Sequence, residues 1–221
     1  MKPENNSLFK ETINMAWPAV VESFFVAFVG LVDSYMVSGL GSNAVAAIGL
    51  TTQPKFMGLS MFFAINVSLS ALVARRRGED KREDANRILV SGIAFILIAA
   101  VIISTLLVVF GGHALMSAFF EEPEIVKIGV DITRIIIVVV IFQVSQVIYM
   151  GCLRGAGDTG YTAMASIISV TIIRTAFSYM FGYILGFGIN GVWLGILADQ
   201  VSRFIFGSVR FKQGNWTKIK I

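Results

Sequence analysis

Six long apolar runs, at about residues 14–37, 44–73, 88–111, 128–152, 161–185 and 190–211, constrain this chain more than anything else in it. Each is near the roughly 20 residues that a helix needs to cross the hydrocarbon of a bilayer. Inside hydrocarbon every backbone N–H and C=O must find its partner within the protein, and a continuous apolar run of this length does so as an α-helix. The sequence therefore predicts an all-α integral membrane protein, with residues 1–221 as a single six-helix transmembrane domain. The connectors "GLGSN", "ARRRGEDKREDANR", "GGHALMSAFFEEPEIVK", "LRGAGDTG" and "GFGING" have the composition of turns. Only 14% of the residues are charged, against about 25% in soluble domains. The first run is too long for the roughly 7–15-residue core of a signal peptide, and no clean cleavage site follows it, so it is read as retained.

The 18 Lys+Arg outnumber the 14 Asp+Glu, but their positions point to topology rather than to nucleic acid. Lys2 and Lys10 lie in the N-terminal tail, and Arg75, Arg76, Arg77, Lys81, Arg82 and Arg87 in the second connector. Arg154 lies in the fourth, and Arg210, Lys212, Lys218 and Lys220 near the C-terminus. The opposite side offers little beyond Lys127. By the positive-inside rule both termini are cytoplasmic, as an even number of spans requires. The charged second connector reads as a solvated helical link, His113 as an interfacial residue, and the lone Cys152 allows no intramolecular disulfide.

The first run, "AWPAVVESFFVAFVGLVDSYMVSGLG", carries two acids, Glu22 and Asp33. A charge at membrane depth costs roughly 2.5–3.5 kcal/mol even on insertion scales, so each needs a partner or a function. Eleven residues is three helical turns to within about 20°, which puts both on one face, roughly 16 Å apart along the axis. Pro18 lies one turn before Glu22, where it removes a backbone hydrogen bond and is expected to bend the helix. Each acid has two readings: a structural ion pair, or a group facing a water-filled cavity that exchanges a proton or cation.

The other polar positions inside the runs are weighed the same way. Gln143, Gln146 and Tyr149 recur every three residues in the fourth run, a face that either contacts substrate or holds neighbouring helices. Gln53 and Asn66 in the second run are similar, with Pro54 between them able to interrupt the helix. Arg174 in the fifth run and Asp199 in the sixth fall at nearly the same depth by helical rise, and Arg203 follows Asp199 by one turn. Arg174, Asp199 and Arg203 are therefore expected to form a structural ion cluster joining helices five and six. No phosphate-cradling loop, metal-ligand spacing or nucleophile beside a histidine occurs, and the chain has one His. The sequence thus offers no enzyme, catalytic residue, metal site or cofactor, and transport would draw on an ion gradient.

Taken together, "LVDSYMVSGLGSNAVAAIGL", "TTQPKF", "VARRRGEDKREDANR" and "CLRGAGDT" resemble the multidrug and toxic compound extrusion (MATE) transporters over about residues 8–215. The resemblance implies that Pro18 bends the first helix, that Asp33 is the essential proton- or cation-binding acid, and that the coupling ion is H+. Members usually have twelve helices in two lobes, so this chain corresponds to one lobe. Its opening resembles the family's first lobe and its close the end of the second. Where first lobes often carry an Asn and an Asp in helix five, this chain has "SVTIIRTAFSYMFG", with Arg174 and no acid, which speaks against Na+.

What the resemblance implies is a half-size antiporter subunit of the plasma membrane, working by alternating access and exporting organic, cationic compounds against inward proton flow. Its partners would be a small organic substrate, the lipid bilayer and a second six-helix half, as homodimer or heterodimer, with the Asp33 faces turned to a shared cavity. Two alternatives stay open: a flippase for lipid-linked precursors in the same superfamily, and a non-transporting remnant.

Overall fold

The computed structural model describes residues 3–106, 123–214 and 216. Among these the chain is helical throughout, with no strand: α1 (Pro3–Ser38), α2 (Ser42–Gly78), α3 (Arg82–Leu106), α4 (Pro123–Gly155), α5 (Thr159–Ile184) and α6 (Gly188–Lys212). All six contain a stretch long and apolar enough to cross a membrane, as the six runs predict. The end of the third run and His113 lie outside the described residues.

Several boundaries differ from the sequence expectation for local reasons. α1 runs unbroken through Pro18. The backbone of α2 is likewise helical from Ser42 to Gly78, the position of Pro54 included. The charged connector is mostly helix, because α2 and α3 extend into it and leave only Glu79, Asp80 and Lys81 as the turn. Asp80 takes a left-handed φ of 56° there, a conformation that Asp adopts more readily than most residues. Glu79 gathers Arg75 at 3.1 Å, Arg76 at 2.8 Å and Lys81 at 3.2 Å. These cations hold its carboxyl at about 2, well below the usual range.

α5 departs most from regular geometry. Two segments, Ser169–Arg174 and Met180–Ile184, are wound as π-helix, separated by one α-helical turn at Thr175–Tyr179. Each extra residue in a turn rotates the succeeding side chains by about 100° relative to an α-helical count.

The main apolar core joins α2, α3, α4 and the end of α6: Leu59, Leu89, Ile96, Ile148, Leu153 and Phe211 are among its members. A smaller cluster of Ile132, Val139 and Trp193 seals α4 against α6. α1 contributes to neither. Its buried apolar side chains include Val29, Met36 and Val37, and Val37 packs with Val192 of α6.

Lipid tails are as apolar as leucine, so helices in a membrane associate through close packing rather than through expulsion of water. Two glycine pairs one turn apart supply it. Gly151 and Gly155 on α4 lie against Asn66 and Ser70 of α2, and Ser70 Oγ donates to the Gly151 carbonyl at 2.7 Å. Gly191 and Gly195 on α6 lie against the α5 backbone, where Ser178 Oγ donates to the Val192 carbonyl at 3.2 Å. A methyl group at position 195 would stand 2.0 Å from Ser178 Oγ and 2.5 Å from Ser178 N. Gly195→Ala is expected to cost about 1–3 kcal/mol by forcing α5 and α6 apart. Gly30→Ala, where nothing lies within 4 Å, is expected to be neutral or slightly stabilising. Thermal unfolding of both variants in one detergent is the measurement, and equal melting temperatures would contradict the close-packing account.

A buried charge network as candidate functional site

The buried face of α1 carries Glu22, Val29, Asp33, Met36 and Val37, a helical repeat of seven, four, three and one residues. Both acids lie on it, as three helical turns of separation require. The opposite face, with Trp17, Phe24, Leu31 and Tyr35, is exposed. Glu22 and Asp33 therefore turn into their own six-helix bundle, and each meets an arginine there. This differs from the expectation of Asp33 faces turned to a cavity shared with a second half.

Glu22 Oε1 accepts from Arg154 Nη2 at 3.1 Å. Arg154 sits in the last turn of α4, so this pair fastens the N-terminal half of α1 to the end of α4. Asp33 is ion-paired with Arg174, the last residue of the first π-helical segment of α5. Here the expected cluster needs correcting, since Arg174 reaches Asp33 on α1 and not Asp199 on α6. Helical rise fixes height, but the π-helical turn changes which way the side chain leaves the axis. Asp199 is moreover already occupied. Arg203 Nε donates to its Oδ1 at 2.8 Å and Gln200 Nε2 to its Oδ2 at 3.0 Å. Asp199 still lies near enough to Asp33 for its charge to bear on it. Two ion pairs, Asp33 with Arg174 and Asp199 with Arg203, thus make up one charge row drawn from α1, α5 and α6.

The remaining polar positions are distributed around this row. Gln146 is buried and donates from Nε2 to Gln200 Oε1 at 3.1 Å, which extends the network onto α4. Tyr149 packs edge-on against Phe204 and Phe211 of α6. Of the two readings open for Gln143, Gln146 and Tyr149, Gln146 and Tyr149 take the second, holding α4 to α6, and Gln143 is half-buried. Asn66 is half-buried against Gly151, its Oδ1 without a hydrogen-bond partner among the described residues. The Gln53 side chain lies outside the described residues.

Sequence reasoning also missed a fourth pair with a buried acid. Asp158, which precedes α5, is 5% exposed, and its Oδ2 accepts from Arg210 Nε at 2.8 Å. The Arg210 guanidinium also lies 4.7 Å over the ring of Tyr161. The segment "LRGAGDTGY" therefore works as a clamp: Arg154 holds α1 while Asp158 holds the end of α6. Its visible signal was an acid and a base four residues apart in a glycine-rich connector. Removing one member of a buried pair strands the other, at roughly 3–5 kcal/mol. Asp158→Ala is expected to cost about 3 kcal/mol in denaturant unfolding of the detergent-solubilised chain. The control Asp80→Asn, at a side chain 86% exposed, should stay within about 0.5 kcal/mol. Equal losses in the two would contradict the clamp.

Comparison with known proteins places this geometry. The family model described as MatE matches residues 18–180. The probable multidrug resistance protein NorM of Thermotoga maritima is 24% identical over 216 residues, taking in 98% of this chain and 46% of that protein. Among solved structures, a transporter of the MOP superfamily from Pyrococcus furiosus, described as having a binding pocket of reverse polarity, is 26% identical. It superposes with a TM-score of 0.83 over 91% of this chain and 44% of its own. A multidrug resistance MATE family transporter in an outward-facing conformation is 25% identical, with a TM-score of 0.80 over 96% of this chain and 47% of its own. The chain spans about half the length of the curated relatives it matches.

Proposed function

Because this chain belongs to the MatE family, that of the MATE multidrug efflux transporters, multi-pass proteins of the plasma membrane rather than enzymes, we propose that it exports organic, cationic compounds against an inward flow of protons. It does so as one half of a two-lobed transporter that alternates its access. The observation that carries the proposal is Asp33, a carboxylate buried at membrane depth and paired with Arg174. An intramembrane acid facing the inside of a bundle is expensive to keep, and a proton taken up there changes the charge balance of the whole row. The coupling step is then simple. A proton on Asp33 weakens its hold on Arg174 and with it one of the two charge links that fasten α1. The conformation with α1 displaced gains in population accordingly.

A second six-helix half is supported by the length of the relatives and by the character of the exposed faces. α3 exposes Val90, Phe95, Ile98 and Ile102, bulky groups suited to lipid. α1 exposes Ser23, Ala27, Gly30 and Ser34, and α2 exposes Ala64, Ser68 and Ala71. The hydroxyls of Ser23, Ser34 and Ser68 bond to their own helices. Faces of small residues suit close approach by another helix or the wall of a cavity. The partner is a second copy or another half, related by an axis along the membrane normal. The flippase alternative would favour an unpaired cation in the cavity, and Arg174 is instead paired with Asp33.

Asp33→Asn is expected to lower proton-driven dye efflux from vesicles at least about tenfold, roughly 1.4 kcal/mol or more in the coupling, with membrane insertion unchanged. Glu22→Gln should have the smaller effect. Full efflux in Asp33→Asn would remove this residue from coupling. For the second half, a cysteine at the 81%-exposed Tyr35, with Cys152 replaced, should crosslink in native membranes to a partner of matching size. A chain that stays monomeric in nanodiscs and still transports would refute the two-lobe arrangement.

A further inference from the structure

Asp33 is buried, and Arg174 stands against one of its oxygens, Oδ2, while Oδ1 has no hydrogen-bond partner among the described residues. Arg174 is itself mostly buried, with its side chain 19% exposed. The next acid in the row, Asp199, is fully buried and held by Arg203 and Gln200. The charges bearing on Asp33 from α5 and α6 are thus Arg174 and Asp199, Arg203 being held on Asp199, and the two pairs sum to zero.

We propose that Arg174 is a tethered counter-cation that occupies the cation position beside Asp33 and bars a metal cation such as Na+ from it, which makes Arg174 the residue that sets the identity of the coupling ion. A hard metal ion binds through a shell of several oxygens. To assemble one at Asp33 it would have to displace a guanidinium fixed to the same protein. It would also have to draw oxygens from Asp199, whose two oxygens already accept from Arg203 and Gln200. If the metal ion bound without displacing Arg174, two positive charges would share one carboxylate in a medium of low dielectric, where like charges repel strongly. A proton meets neither obstacle. It needs one lone pair and no shell, and Oδ1 offers one that no donor among the described residues occupies. An arginine is suited to this role because its guanidinium stays charged in proteins and cannot vacate the site by deprotonation.

The proposal rests on the reading of Asp33 as the coupling acid, and its test is binding rather than transport, so that the two fail separately. Saturable binding of radioactive Na+ is measured by scintillation proximity on the purified chain in nanodiscs. The wild type and Arg174→Lys, which keeps the tethered charge, should show none. Arg174→Gln should gain Na+ binding with an affinity at least about tenfold above any wild-type signal, and the double variant Asp33→Asn/Arg174→Gln should lose it again. Arg174→Met, which keeps the length of the stem, carries the same expectation if Arg174→Gln does not fold. Asp33-dependent Na+ binding by the wild type would overturn the proposal without recourse to any variant. So would a glutamine or methionine variant that elutes and melts as a folded protein and binds no more Na+ than wild type. Loss of efflux in Asp33→Asn bears on the coupling role alone and leaves the Na+ result to decide this one.

Discussion

A carboxylate taken out of water into hydrocarbon must be matched where it lies, and the rest of this bundle is arranged around that requirement. Glu22, Asp33, Asp158 and Asp199 are the four buried acids among the described residues, and each faces an arginine. The planar guanidinium presents donors in a fork that fits a carboxylate and keeps its charge at any accessible pH, which lysine at such depth does not guarantee. Such pairs add little stability compared with apolar groups of the same size, but losing one member is costly. They therefore act mainly on specificity. They fix which helix meets which, and at what height.

Three of the four pairs reach between elements: Glu22 of α1 with Arg154 of α4, Asp33 of α1 with Arg174 of α5, and Asp158, just before α5, with Arg210 of α6. α2, α3, α4 and α6 already share an apolar core. α1 does not, and its position depends on its two ion pairs, on the buried side chains of Val29, Met36 and Val37, and on the hydrogen bond from the Tyr183 hydroxyl to the Met36 carbonyl. Changing the charge of one partner in these pairs removes part of what holds α1 in place. That links the energetics of α1 to the transport cycle proposed for the chain, since the acid that would take up the proton is also one of its fastenings.

The same division appears in how the helices pack. Where glycines let backbones approach, as at Gly151 and Gly155 or at Gly191 and Gly195, the contact is rigid and leaves no room for a methyl group. α5 shares one of these contacts and also contains both π-helical segments. It is thus anchored to α6 along one side while its irregular winding carries Arg174 across to α1. Segments of this kind recur at functional sites because they redirect side chains at little cost in hydrogen bonding.

The sequence by itself determined the membrane setting, the six helices, the shared face of Glu22 and Asp33 and the pairing of Asp199 with Arg203. Each of these follows from length, composition or a local period that a helix imposes on its own residues. It also carried the family, through motifs spread over most of the chain. It did not determine that Arg174 serves Asp33, that Gln146 and Tyr149 turn to α6, or that Asp158 pairs with Arg210. Those partners stand on different helices, 52 positions apart for Asp158 and Arg210 and 54 for Gln146 and Gln200. No rule of spacing along one helix reaches them. Rise per residue gives the height of a side chain in the membrane, but its direction, and so its partner, is settled only when the helices have packed.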